Sequence, residues 1–338
     1  MTTLSDIARE AGVSVSAVSR VLSNAEGTRV SEGTRARIHR VAKDLNYRPN
    51  FAARALKFQR TAVLACIVPD LTNAMFSELV RGVESCAREH DYTVLLSRAE
   101  VMLELDAALA RLLGEGRVDG VIVQTLDATD PAALDALSDA KMPVVFVNTV
   151  HPHHAGSVIL DDHRGAATAT QHLIDLGHQR IGFIGGLAAA GSARRRLEGF
   201  ADTMASVGLI VDPEWVTAMG YRPADGMAAL GSVMDAGVRP TALVIANVNA
   251  AMGALLEARR RGWSVPQQLS VAAIHDSWPA ENTWPPLTTV KMPFYELGRE
   301  AVKSVIARIS QDDGIDLVVG SPAPELIVRE SSAPPLAD

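Results

Sequence analysis

The sequence predicts two kinds of fold in one chain: an N-terminal all-α helix-turn-helix head, then an α/β body of two lobes with parallel, doubly wound sheets. Three observations predict it. Three short helical patterns, punctuated by a glycine turn, fill residues 3–46. From Thr61 onward, apolar strand-like runs alternate with amphipathic helical patterns for about 275 residues, long for a single open sheet. The charge also changes sign: residues 1–60 carry 11 Lys+Arg against 5 Asp+Glu, and the remainder 21 against 34. A basic head on an acidic body is expected to meet a polyanion.

The whole chain has 338 residues, of which 48% are hydrophobic and 21% charged. That is enough apolar surface to offset chain entropy, so disorder is excluded as the dominant state. No run approaches the roughly 20 apolar residues of a membrane span. The first twelve residues, MTTLSDIAREAG, lack a basic stretch followed by an apolar core, so no secretory signal is expected. Two cysteines, Cys66 and Cys86, are too few for a disulfide framework and read as small buried hydrophobes. The expected location is the cytoplasm.

In the head, Thr3 with Asp6 makes a capping box, followed by apolar Ile7, Ala8 and Ala11. Gly12 breaks that helix. Ser14 caps a second one over residues 15–22, with Ala17, Val18, Val21 and Leu22 at core spacing. Ser31 caps a third, with Ile38, Val41, Ala42 and Leu45 on one face. The second helix is the one expected to enter a major groove, with Val15, Ser16, Ser19 and Arg20 facing outward. Arg reaches guanine O6 and N7 with two hydrogen bonds, and Val makes apolar contact with a thymine methyl. A three-helix module that binds protein is the competing reading, disfavoured because capping, glycine turn and basic charge coincide. Pro49 then stops the preceding helix, and Asn50 caps a short Ala-rich, basic segment over residues 50–57. Two helical turns are marginal alone, so this segment reads as one that folds on a partner, or as a plain linker.

Residues 3–57, TLSDIAREAGVSVSAVSRVLS through VSEGTRARIHRVAKDLNYRPNFAARALK, resemble the DNA-binding head of the LacI/GalR (lactose-repressor) family of bacterial transcription regulators. The similarity continues through nearly the whole chain. It implies that Val15, Ser16 and Arg20 read bases. It implies that residues 50–57, with Asn50, Ala53 and Lys57, form a hinge helix on DNA, and that Leu56 wedges into a minor-groove step. Two departures are Ala17, where the family has threonine, and Gly33, expected inside the third helix at about 1 kcal/mol relative to Ala.

In the body, the pattern predicts strands over 63–68, 93–97, 120–124, 144–148, 158–160, 180–184, 242–246 and 269–274. Helices are expected over 76–90, 103–113, 165–176, 195–207, 224–235, 250–261 and 295–309. Two similar strand-loop-helix openings, at 63–89 and 180–208, point to two halves. The resemblance implies a periplasmic-binding-protein-like core whose chain crosses between lobes near Asp161, Val290 and Gly320. The expected division is 1–46 head, 47–60 hinge, 61–160 with 291–319 for one lobe, 161–290 with 320–330 for the other, and a tail from 331.

In such sheets a ligand sits beyond the C-terminal strand ends. The resemblance carries over Arg196, in the string SARRRLEGF, as the arginine that binds the effector. It carries over Asn247, in NVNAAMG, where the family's acid has become Val248. In AIHD the family's first acid has become His275, and a third acid position holds Asn148. Carboxylates accept from sugar hydroxyls and repel anions. Losing them while keeping Arg196 and adding His275 favours an anionic effector, such as an organic acid, sugar acid or phosphorylated sugar. Met75, Phe76, Trp278 and Trp284 are expected as apolar or aromatic walls. A neutral sugar in a drifted site is the competing reading. A structural salt bridge is the plainer role for Arg196. His151, His153 and His154 read as a solvated loop rather than a zinc site.

The expected function is a homodimeric DNA-binding transcription regulator, a repressor, with a pseudo-palindromic double-stranded operator and a small-molecule effector as partners. No cofactor, metal or membrane partner is expected. A transport-associated binding protein without a DNA role would suit the body alone. An enzyme is disfavoured because no nucleophile–base constellation, Walker A string or dinucleotide fingerprint occurs.

Overall fold

The computed structural model describes residues 2–22, 29–47, 60–98, 116–124, 142–150, 156–310 and 314–336. It divides into two compact units, Met1–Thr61 and Ala62–Asp338.

The first unit holds α1 (Leu4–Ala11), α2 (Val15–Leu22) and α3 (Glu32–Asp44). The Thr3–Asp6 capping box forms, with Asp6 N donating to Thr3 Oγ1 at 3.3 Å and Thr3 N donating to Asp6 Oδ2 at 2.9 Å. Gly12 takes φ 63°, a left-handed cap that glycine adopts without a Cβ penalty. Ser14 Oγ accepts from Ala17 N at 3.2 Å, and Ser31 Oγ from Thr34 N at 3.3 Å. Ile7, Ala8, Ala11, Val18, Val21, Ile38 and Ala42 are buried together as the core. Gly33 sits in the first turn of α3 rather than its interior, where a missing side chain matters less than the sequence reading assigned.

The second unit contains two six-stranded sheets. The first comprises β1 (Val63–Val68), β2 (Thr93–Arg98), β3 (Gly120–Val123), β4 (Val144–Val147), β5 (Ser157–Leu160) and β11 (Leu317–Val319), in the order β11-β5-β4-β3-β1-β2. The second comprises β6 (Ile181–Gly185), β7 (Val216–Ala218), β8 (Ala242–Ile245), β9 (Ser270–Ile274), β10 (Thr288–Lys291) and β12 (Glu325–Ile327), in the order β12-β10-β9-β8-β6-β7. Every pairing is parallel except β10 with β12. The central strands β3, β4, β6, β8 and β9 are buried throughout, as parallel strands covered on both faces must be. Cys66 lies in that interior, where burial pushes its thiol up to about 12.

Helices α4 (Met75–Glu89) and α10 (Phe294–Ile309) pack together on the first sheet. The second sheet carries α5 (Asp162–Asp175) with α6 (Gly191–Ser206), and α7 (Pro223–Met234) with α8 (Val248–Arg260). Glycines set how near these helices come. A Cβ on Gly82 would overlap the Tyr295 carbonyl, and one on Gly253 the Pro223 carbonyl. The chain leaves the first sheet between β5 and α5, returns between β10 and α10, and leaves again between β11 and β12.

Several elements differ from the sequence reading. Helices α5, α6 and α8 begin two to four residues earlier than expected, because their polar first turns precede the apolar periodicity. Strands β7, β10, β11 and β12 are absent from the sequence reading; at three or four residues each they carry too little pattern. The short α9 (Trp278–Glu281) was also missed. The helix expected over 103–113, the hinge over 50–57 with Asn50, Ala53, Leu56 and Lys57, and His151, His153 and His154 lie outside the described residues.

Candidate functional site

In the head, one face of α2 is committed to the core and the other is available. Val18 and Val21 are buried, while Val15, Ser16 and Arg20 are exposed and Ser19 is half-buried. Arg20 Nε donates to the Ser16 carbonyl at 3.3 Å. Ser14 Oγ and Ser16 Oγ lie 3.1 Å apart. Arg9, Arg29, Arg37, Arg40 and Lys43 add exposed positive charge to the same unit.

In the second unit a cleft of about 450 Å³ opens where the C-terminal strand ends of the two sheets meet. The first lobe contributes Pro69, Asp70, Asn73, Met75 and Phe76 after β1, Gln124 after β3 and Asn148 after β4. The second contributes Ser192 and Arg196 from α6, Tyr221, Arg222 and Pro223 before and at α7, Asn247 and Asn249 at α8, and His275 after β9. Six expected effector residues therefore line it: Met75, Phe76, Asn148, Arg196, Asn247 and His275. Trp278 is not among the lining residues and is 69% exposed, because α9 turns Ala280 into the lobe instead. Trp284, 79% exposed, is likewise no cleft wall.

The polar lining residues differ in what they already hold. Asn247 caps α8: its Oδ1 accepts from Ala250 N at 2.8 Å, and its Nδ2 donates to the Tyr221 carbonyl at 3.2 Å. Asn148, at φ 57°, accepts from Leu160 N at 3.0 Å through Oδ1 and ties β4 to β5. Asp276 accepts from Thr289 Oγ1 at 2.6 Å and Arg329 Nη1 at 2.8 Å, so this acid serves a structural network.

Arg196 is 2% exposed and deeply engaged. Its Nε donates to Asp162 Oδ1 at 2.8 Å, its Nη1 to the Ala246 carbonyl at 2.9 Å, and its Nη2 approaches His275 Nε2 at 2.8 Å. Asp162 is fully buried and also takes Arg195 Nη2 at 2.6 Å through its other oxygen. Sequence reasoning missed Asp162. Its signal was two adjacent acids after β5: Asp161 caps α5 by accepting from Arg164 N, leaving Asp162 to turn inward.

His275 is buried in the same cluster. Burial, and then the Arg196 charge, hold its pKa well below the ordinary histidine value, so the ring is neutral. A guanidinium only donates, so His275 Nε2 accepts and the ring hydrogen sits on Nδ1. That Nδ1 is buried with no hydrogen-bond partner among the described residues. The ring also packs edge-on against Phe294, 4.8 Å between centroids, at the start of α10 in the other lobe.

Comparisons with known proteins cover both units. A model of the bacterial regulatory proteins of the lacI family matches residues 3–50, and one of the periplasmic binding protein-like domain matches residues 170–332. The HTH-type transcriptional regulator RegA of Clostridium saccharobutylicum is 32% identical over 336 residues, 98% of this chain and 99% of that protein. A LacI family transcriptional regulator from Mycobacterium smegmatis is 41% identical, with a TM-score of 0.77 over 80% of this chain and 99% of that one. The lac repressor dimer bound to operator and the anti-inducer ONPF is 26% identical, with a TM-score of 0.80 over 98% of this chain and 99% of that one.

Proposed function

The chain belongs to the LacI family of bacterial regulatory proteins and is a DNA-binding transcription regulator rather than a transport-associated binding protein; we propose that a small molecule held between its lobes sets its operator affinity. Repression is the mode its kinship with repressors supports. The observation that carries the proposal is the pairing, in one chain, of a helix-turn-helix head and a cleft lined by polar groups from both lobes.

Two copies bind a pseudo-palindromic operator, with half-sites about one helical turn apart. Phosphate contacts by the basic head supply much of the affinity; Val15, Ser16, Ser19 and Arg20, with Leu56 as a minor-groove wedge, supply the specificity. The ligand acts by binding one lobe arrangement more tightly than the other, a coupling typically of about 1–3 kcal/mol. The protein works in the cytoplasm; among the described residues no helix is long and apolar enough to cross a membrane. Its relatives are transcriptional regulators.

The test selects operator DNA from random sequence with the full chain and measures its mass on that DNA. Arg20→Ala is expected to cost about 1–3 kcal/mol and to relax preference at one base position per half-site. Equal binding to all sequences by the unaltered protein, or one copy per operator, sinks the reading.

A further inference from the structure

We propose that the cleft ligand carries an anionic oxygen, as in a hydroxy acid or a sugar phosphate, and that this oxygen accepts the Nδ1–H of His275 beside Arg196. The inference rests on the regulatory reading of the cleft and names the chemistry that the cleft selects.

Its first support is the ring's orientation of charge. Arg196 Nη2 lies 2.8 Å from His275 Nε2 and has only hydrogens to offer. The Arg196 contact thus turns His275 into a fixed donor through Nδ1. His275 is 2% exposed, lines the cleft, and leaves that donor unpartnered among the described residues. A buried donor without an acceptor is costly, so a ligand that supplies one removes an existing penalty.

Hydroxyl, carbonyl and anionic oxygens all accept, and the buried charges choose among them. Asp162 is one carboxylate shared by two guanidiniums, Arg195 at 2.6 Å and Arg196 at 2.7 Å. That cluster keeps one excess positive charge beneath the cleft, where low dielectric magnifies it. Across the cleft, Gln124 Oε1 is a buried acceptor without a partner among the described residues. A hydroxyl at the ligand's other end satisfies it. One molecule with an anionic group and hydroxyls meets both demands.

The experiment uses the full chain with 15N-labelled histidine and four probes: D-gluconate, D-glucuronate, D-glucose 6-phosphate and D-glucose. In the unliganded protein, NMR is expected to show one histidine, absent from His275→Asn, with its proton on Nδ1. At least one anion should bind about tenfold or more tightly than glucose and move that resonance. Which anion wins separates a carboxylate from a phosphate. His275→Asn keeps an N–H near the Nδ1 place and should keep the preference for anions. His275→Asp should reverse it. Both variants suit the left-handed backbone at φ 71°, a region where Asn and Asp are enriched. A proton on Nε2, glucose binding as tightly as the anions, an unreversed preference in His275→Asp, or no probe moving the His275 signal overturns the proposal. Operator binding by the same preparation reports on the regulatory reading separately.

Discussion

The two lobes share a sheet order yet treat polarity in opposite ways. In each, the first strand of the lobe, β1 or β6, lies between the second and the third, and a late strand returns to the far edge. Both pack helix pairs through glycines, Gly82 against Tyr295 in the first lobe and Gly253 against Pro223 in the second. At the cleft the likeness ends. The first lobe offers the Asp70 carboxylate and the amides of Gln124 and Asn148, beside the apolar Met75 and Phe76. The second brings a buried ionic cluster, Asp162 with Arg195 and Arg196, tied to His275. The repeated architecture fixes where side chains emerge, and each lobe's own substitutions decide what they do there. One lobe supplies shape, amides and a single carboxylate; the other supplies a buried cationic cluster and a fixed donor.

The largest expected break in this comparison is Asp162→Ala. It strands two guanidiniums, one of them 3% exposed at its side chain, and should destabilise the core by about 3–5 kcal/mol in urea unfolding. Gln124→Ala, its counterpart in the first lobe, should leave stability nearly unchanged. If both variants unfold at the same urea concentration, the lobes do not differ as described. Next come the glycines, which test the likeness rather than the difference. Gly82→Ala and Gly253→Ala should each cost about 1–3 kcal/mol, since each new Cβ meets backbone that cannot yield cheaply. A neutral result for either, by thermal melting, would show that its helix pair is loosely packed.

A smaller effect is expected at Asn247. Its replacement by Ala removes the α8 cap and should cost about 1 kcal/mol in the same urea assay. Smallest and most diffuse is the response to pH. Burial is the first cause lowering His172, His178 and His275, all in the second lobe. As pH falls through about 6.5, the unfolded chain takes up protons on these rings while the folded chain does not. Stability is therefore fullest above that pH and declines below it. Calorimetry from pH 7.5 to 5.5 should show the melting temperature falling, and His178→Gln should flatten that fall. A melting temperature that rises on acidification contradicts the assignment.

Much of this was legible along the chain. The Thr3–Asp6 box, Gly12 and the Ser14 and Ser31 caps act within three or four residues, so their consequences follow from adjacency. The outward face of α2 follows from the spacing of Val18 and Val21. The cleft was legible by position: six expected residues line it. Their duties were not. Asn247 spends its amide on a helix cap and on Tyr221, and Arg196 serves Asp162 as well as the cleft. Trp278 illustrates the converse, because a four-residue helix carries no periodicity from which to read which side faces in.

By itself, then, the sequence determined the order of elements, their caps, the basic head and the two-lobed repeat. These depend on local periods of two and 3.6 residues and on turn chemistry. Tertiary structure alone decided which acid answers Arg196, which nitrogen of His275 keeps its hydrogen, and that Phe294 meets its ring. Asp162 lies 34 positions from Arg196 and His275 lies 79 from it. Crossover topology brings them together at strand ends, and burial there makes each pairing exclusive, because an unpaired charge or donor has no water to turn to.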